Sequence, residues 1–119
     1  MLKFFRGFMY AVKGIAVAVR EQLNLKVHLL ALAIVSVAGL YFQITAIEWA
    51  ILFLVFGLVL VAEMLNTAIE YLVDFVSPEF HPTAGKIKDV AAGAVLISAI
   101  IAGAVGLLIF GNRFLNLLL

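Results

Sequence analysis

Apolar residues run along this chain in three stretches long enough to cross a lipid bilayer, at residues 27–47, 49–73 and 90–111. Each is close to the roughly 20 residues that about 30 Å of hydrocarbon demands, so the pattern predicts three spanning helices. Ahead of them, residues 3–24 follow a different rhythm. At 100° per residue, Lys3, Arg6, Tyr10, Lys13 and Arg20 fall in one arc of about 100°, while Phe4, Phe5, Phe8, Val12, Ile15 and Val19 occupy the opposite face. A basic stripe opposed to an apolar one predicts a helix lying in the headgroup layer. The alternative is a soluble amphipathic helix packed on a core, for which the chain offers little material. The expected fold is an all-α membrane protein, a single domain over residues 1–119, with an amphipathic surface helix at 3–24 and three transmembrane helices.

Composition sharpens this picture. Of 119 residues, 66% are hydrophobic and 13% charged, with a mean hydropathy of +1.24; a soluble domain is about 45–50% apolar and about 25% charged. The net charge of +1 argues against nucleic acid as a partner. With no cysteine there is neither a disulfide framework nor a thiolate site. The basic residues spread through the first 20 positions do not form a signal peptide. Lysine and arginine accumulate on the cytoplasmic side: Lys3, Arg6, Lys13, Arg20 and Lys26 precede the first span, Lys86 and Lys88 lie between the second and third, and Arg113 follows. The N-terminus and a loop at 75–88 are therefore expected inside, a short turn at 43–48 outside, with Tyr41, Phe42 and Trp49 near it as an interfacial aromatic belt. Pro78 and Pro82 are expected to end the second helix and keep the inside loop from continuing as helix.

The second span carries the chemistry. A carboxylate in hydrocarbon costs at least about 2.5–3.5 kcal/mol and is a functional candidate by default. Glu63, Asn66, Glu70 and Asp74 share an arc of about 80° along one helix face. A stripe serving only helix association normally holds one or two neutral groups, whereas this one holds three acids. Its nearest counter-charges are Lys86 and Lys88. Two carboxylates near the cytoplasmic end of a span, with Lys88 and Asp89 opening the next, suit a divalent cation and phosphate. Magnesium takes one or two carboxylates plus phosphate oxygens and waters, and lysine adds a point charge on phosphate. Neither a glycine-rich phosphate loop nor the kinase H-R-D and D-F-G set is present. A proton or ion relay, the reading from a different class, should continue across the bilayer, and residues 50–62 offer it no polar side chain.

The segment Glu63-Met-Leu-Asn66-Thr-Ala-Ile-Glu70-Tyr-Leu-Val-Asp74 resembles the E-x-x-N-[ST]-[SA]-x-E-x-x-x-D signature of the small bacterial integral-membrane lipid kinases, the diacylglycerol kinase and undecaprenol kinase family. The likeness extends to Glu79-Phe-His81 before Lys88-Asp89, to Asn24-Leu-Lys26-Val-His28, and to Tyr10 with Lys13-Gly14. It implies a homotrimer in the bacterial inner membrane, with active sites shared between subunits, using ATP and Mg2+ on a lipid substrate. Carried over by position, Glu63 resembles the general base for the lipid hydroxyl and Glu70 a ligand of the metal. Asn66 would orient Glu63 or the phosphate, Lys88 would neutralise phosphate, and Asp89 would anchor Lys88 or the nucleotide. Tyr10, Glu79 and His81 match nucleotide contacts. Asp74 completes the stripe.

Gln22 stands where many family members have a second metal-binding carboxylate, the acid here being Glu21, one place earlier. Either Gln22 is a neutral oxygen ligand, or Glu21 reaches in after a local shift of the helix, or Glu70 works with water alone. Ala92 stands where diacylglycerol kinases have a serine near the lipid headgroup. His28 and His81 otherwise read as interfacial hydrogen-bonding residues rather than metal ligands. Ser98, Ala99, Ala102 and Gly103 read as small-residue spacings for close helix packing. The combination Asn24…His28 with Pro78-Glu79-Phe80-His81-Pro82 resembles the undecaprenol-kinase branch more than the diacylglycerol branch. Phosphorylation of undecaprenol is therefore the expected activity, with diacylglycerol as the alternative acceptor.

Overall fold

The chain is helical wherever nothing interrupts it, and three short breaks define its architecture. The computed structural model describes residues Met1–Leu119 as helices α1 (Leu2–Glu21), α2 (Leu23–Phe42), α3 (Ala46–Val76) and α4 (Pro82–Leu118), with no strand. The last three are long and apolar enough to span a membrane. On α1 the large apolar side chains Phe4, Phe5, Phe8, Val12 and Ile15 are exposed.

The first break is one residue: Gln22 is extended (φ −107°, ψ 111°), which ends the surface helix at Glu21 rather than at residue 24. The second lies at residues 43–45, inside the expected first span of 27–47. Gln43 takes the left-handed conformation at φ 51°, its N–H donates to the Leu40 carbonyl, and the Ile44 N–H donates to Gly39. This closes α2 as a Schellman motif. Thr45 then caps α3, its Oγ1 accepting from the Glu48 N–H at 3.2 Å while the Glu48 carboxylate accepts from the Thr45 N–H at 3.0 Å, a reciprocal capping box. These paired caps satisfy the terminal N–H and C=O groups locally, so the reversal takes three residues.

The third break, residues 77–81, is shorter than the expected loop at 75–88. Pro82 does not oppose helix here but begins one. It occupies the first turn of α4, where a missing N–H costs nothing, and the His81 Nδ1 accepts from the Thr83 N–H at 3.1 Å as the cap. Lys86, Lys88 and Asp89 therefore project from α4's first turns. At about 1.5 Å per residue, α3 and α4, with 31 and 37 residues, are longer than about 30 Å of hydrocarbon requires.

Packing is strongest between α3 and α4 and concentrated at the turn end. Ile44, Leu52, Phe56, Ile109 and Phe110 form the buried cluster. Phe42 packs on Phe110 and Phe114, with ring centroids 6.2 and 4.9 Å apart. Trp49 stacks on Phe53 and lies so close to Gly39 that a Cβ there would sit 2.7 Å from its ring. Of the three aromatics expected in an interfacial belt, only Tyr41 is exposed; Phe42 and Trp49 fill the gap between helices. Arg113 forks onto Glu48, with N···O distances of 2.7 and 2.8 Å, tying α4 to the start of α3. The small-residue spacing in α4 marks contact only in part: Ser98 is buried, whereas a Cβ at Gly103 would meet open space.

Candidate active site

At the opposite end the acidic stripe of α3 is graded by depth. Glu63 is 3% exposed and Asn66 8%, Glu70 is half-buried and Asp74 exposed. The helical period lines them up and the ends of the neighbouring helices decide what each one meets.

Glu63, the deepest, is met by α2: His28 Nε2 lies 3.2 Å from its Oε1. Asn66 was expected to orient Glu63 or a phosphate, but its Nδ2 donates to Glu70 Oε1 at 3.2 Å. The i,i+4 relation of Asn66 and Glu70 favours that pairing along the helix. The Asn66 Oδ1 is buried without any hydrogen-bond partner, a cost of about 1–3 kcal/mol that native proteins rarely leave standing. It borders a groove of about 300 Å³ between α3 and α4 that Ala62, Ala91, Ala94 and Ser98 help to line. Ala92, the expected lipid-contact position, is exposed and stands about 100° round α4 from buried Ala91; Ala91 and Ala94 are the residues that face the groove.

The Gln22 break brings two side chains onto α3. Gln22 Nε2 donates to the Tyr71 hydroxyl at 3.3 Å, and that hydroxyl donates to the Glu21 carboxylate. Both candidate replacements for the missing acid therefore converge on the residue next to Glu70. Tyr71 had no part in the sequence reading, and its position directly after Glu70 was the only signal for it. Between α1 and α3, Gly14, Ala18, Met64, Thr67, Ala68 and Tyr71 line a cavity of about 300 Å³.

Toward the loop, Lys88 forms an ion pair with Asp74. The expected anchor, Asp89, lies about 100° further round α4 and is exposed, so Asp74 takes that part. Asp74, Ser77, Glu79, His81, Gly85 and Lys88 are among the residues lining a polar cavity of about 190 Å³. Glu79 and His81 are thus brought together with Lys88. Tyr10 remains apart on α1, exposed, with the Lys13 ammonium 5.9 Å from its ring centroid.

No three acidic or histidine side chains of one chain gather as a metal cage. Glu70 keeps one carboxylate oxygen beyond its bond to Asn66, and this suits a magnesium that takes its other ligands from phosphate and water. The free carboxylate oxygen of half-buried Glu70 is the one acceptor here that would fit such an ion.

Residues 9–110 match the family model described as prokaryotic diacylglycerol kinase. The chain is 42% identical over 108 residues to the undecaprenol kinase of Bacillus subtilis, covering 91% of this chain and 88% of that protein. It is 41% identical over 101 residues to a diacylglycerol kinase of Synechocystis, covering 84% of this chain and 58% of the relative. To the diacylglycerol kinase of Escherichia coli it is 32% identical over 93 residues, covering 78% and 76% of the two chains.

Proposed function

The chain belongs to the prokaryotic diacylglycerol kinase family and is a membrane lipid kinase with ATP as co-substrate; from that premise we propose that its acceptor is undecaprenol, phosphorylated at the terminal hydroxyl. The observation that carries the site assignment is the graded stripe on α3, with a buried carboxylate at Glu63, a half-buried one at Glu70 and Asp74 paired with Lys88 at its loop end. The acceptor rests on the 42% identity to the undecaprenol kinase of Bacillus subtilis across nearly the whole chain.

In this reading Glu63, at the lipid-facing depth, takes the hydroxyl proton. The lipid oxygen attacks the terminal phosphorus of ATP while the bond to the ADP oxygen breaks, and ADP leaves with the electron pair. The protein's part is positioning and charge compensation, as phosphoryl transfer requires. Lys88, held by Asp74, sets a positive charge in the lining of the polar cavity, Glu79 and His81 supply the surroundings of the nucleotide there, and the part of Asp89 and Tyr10, which lie outside that cavity, rests on the likeness to the family. Glu70 would hold Mg2+, with Gln22 or Glu21 assisting through Tyr71, and the ion when bound would neutralise phosphate charge.

Only 15 of 119 residues are buried, so most of the apolar surface is left for lipid or another copy, and the homotrimer with shared sites rests on the likeness to the family. The basic residues before α2, together with Lys86 and Lys88, stand at the end of the helices that holds the site. This supports a cytoplasmic N-terminus in the bacterial inner membrane.

Purified protein in detergent or lipid, given ATP, Mg2+ and either undecaprenol or diacylglycerol, tests the acceptor. We expect undecaprenol to be phosphorylated with the higher kcat/KM, and a preference for diacylglycerol would reverse the assignment. In the same assay Glu70→Gln is expected to raise the magnesium concentration needed for half-maximal turnover, because one of few anionic ligands is gone. An unchanged magnesium titration would remove Glu70 from that role.

A further inference from the structure

The packing face of α2 is Leu25, His28, Leu32, Val35, Gly39 and Phe42, spaced three or four residues apart. Leu25 is 3% exposed and Gly39 is buried, while Leu32, Val35 and Phe42 pack on the apolar cluster. His28 is the one polar member of that face. In lipid a polar side chain inside a helix contact needs a partner, and the partner here is Glu63, with Nε2 to Oε1 at 3.2 Å. Glu63 is in turn the most buried carboxylate in the protein, and His28 is the one basic side chain within 4 Å of its carboxylate. Asn66, one turn away on the same helix, is committed to Glu70. The rotation of α2 that seats Leu25 therefore aims His28 at the acid.

We propose that His28 is a positioning residue for phosphoryl transfer: its Nε2, in polar contact with Glu63 Oε1 at 3.2 Å, holds the carboxylate rotamer and leaves Oε2 free to take the lipid hydroxyl proton. A base held by a hydrogen bond from a third group is a recurring requirement for proton abstraction, because a free carboxylate samples several rotamers and only some meet the hydroxyl. α2, otherwise a spanning helix with no chemistry, thereby becomes part of the active site. The inference rests on the assignment of Glu63 as the base.

The test compares His28→Leu and His28→Phe, which remove the donor and suit an apolar helix, with His28→Gln, whose Nε2 can donate from a similar position. Both apolar variants are expected to lower kcat about ten- to a hundred-fold, the scale of a misplaced catalytic group, with KM for ATP unchanged. His28→Gln is expected to recover most of the lost kcat. Either folded apolar variant suffices for the comparison. A kcat within about twofold of the parent, a loss expressed in the KM for ATP instead, or a glutamine variant as slow as the apolar ones would overturn the proposal. Glu63→Gln is measured in parallel. Parental turnover there removes Glu63 as the base, whereas a slow Glu63→Gln beside a fast His28→Leu removes His28 alone.

Discussion

Replacing Glu63 by glutamine is expected to lower lipid phosphorylation at least about 100-fold, the scale of a lost general base, while the helices and nucleotide binding persist. The substitution keeps the volume and a hydrogen-bonding oxygen beside His28 but removes the charge that accepts the proton. Glu63 sits deeper than any other acid of the stripe, away from the cavity where Lys88, Glu79 and His81 gather, so ATP affinity should follow the parent's. Turnover with undecaprenol and ATP binding by a fluorescent analogue, each on protein whose melting temperature is unchanged, give the comparison. Undiminished turnover in the folded variant would move the base elsewhere.

The second large effect is one of sidedness. In sealed vesicles of known orientation, ATP supplied to the face bearing the N-terminus should support phosphorylation, and ATP confined to the face bearing Arg113 should support none. The site is assembled from α1, the loop end of α3 and the first turns of α4, all at one end of the helices, and a nucleotide triphosphate does not cross the bilayer. Lys88→Ala should weaken ATP use on the productive face. Arg113→Ala breaks the fork to Glu48 at the other end and should lower the melting temperature, with turnover per folded molecule unaltered. Equal activity from both faces would overturn the assigned orientation.

The number and order of the helices followed from the lengths of the apolar runs and the amphipathic period of the first 20 residues, because bilayer thickness leaves a chain few solutions. The stripe on α3 was equally visible, since it depends on one helix and one angle per residue. What could not be read was anything set by two helices at once. His28 and Glu63 lie 35 positions apart in sequence, and only the rotation of α2 about its axis, fixed by Leu25, brings them together. Tyr71 escaped notice for the same reason: its value comes from the extended Gln22, and a single-residue break between two good helical segments has no proline or glycine to announce it. The opposite error occurred at Pro82. A proline was read as a stop, when the histidine ahead of it made it a start. The turn at 43–45 was placed to within a few residues, yet the first span was carried through it, because Gln43 is left-handed without being glycine.

The cluster of Ile44, Leu52, Phe56, Ile109 and Phe110 and the Glu48–Arg113 fork stand at the end of the helices away from the chemistry. This separates robustness from evolvability. The groove of Ala62, Ala91 and Ala94 shares no residue with that cluster or that fork. A chain built this way can drift toward a new acceptor at its active end while its far end holds the scaffold constant, and an engineer seeking altered lipid preference should mutate the one and leave the other alone.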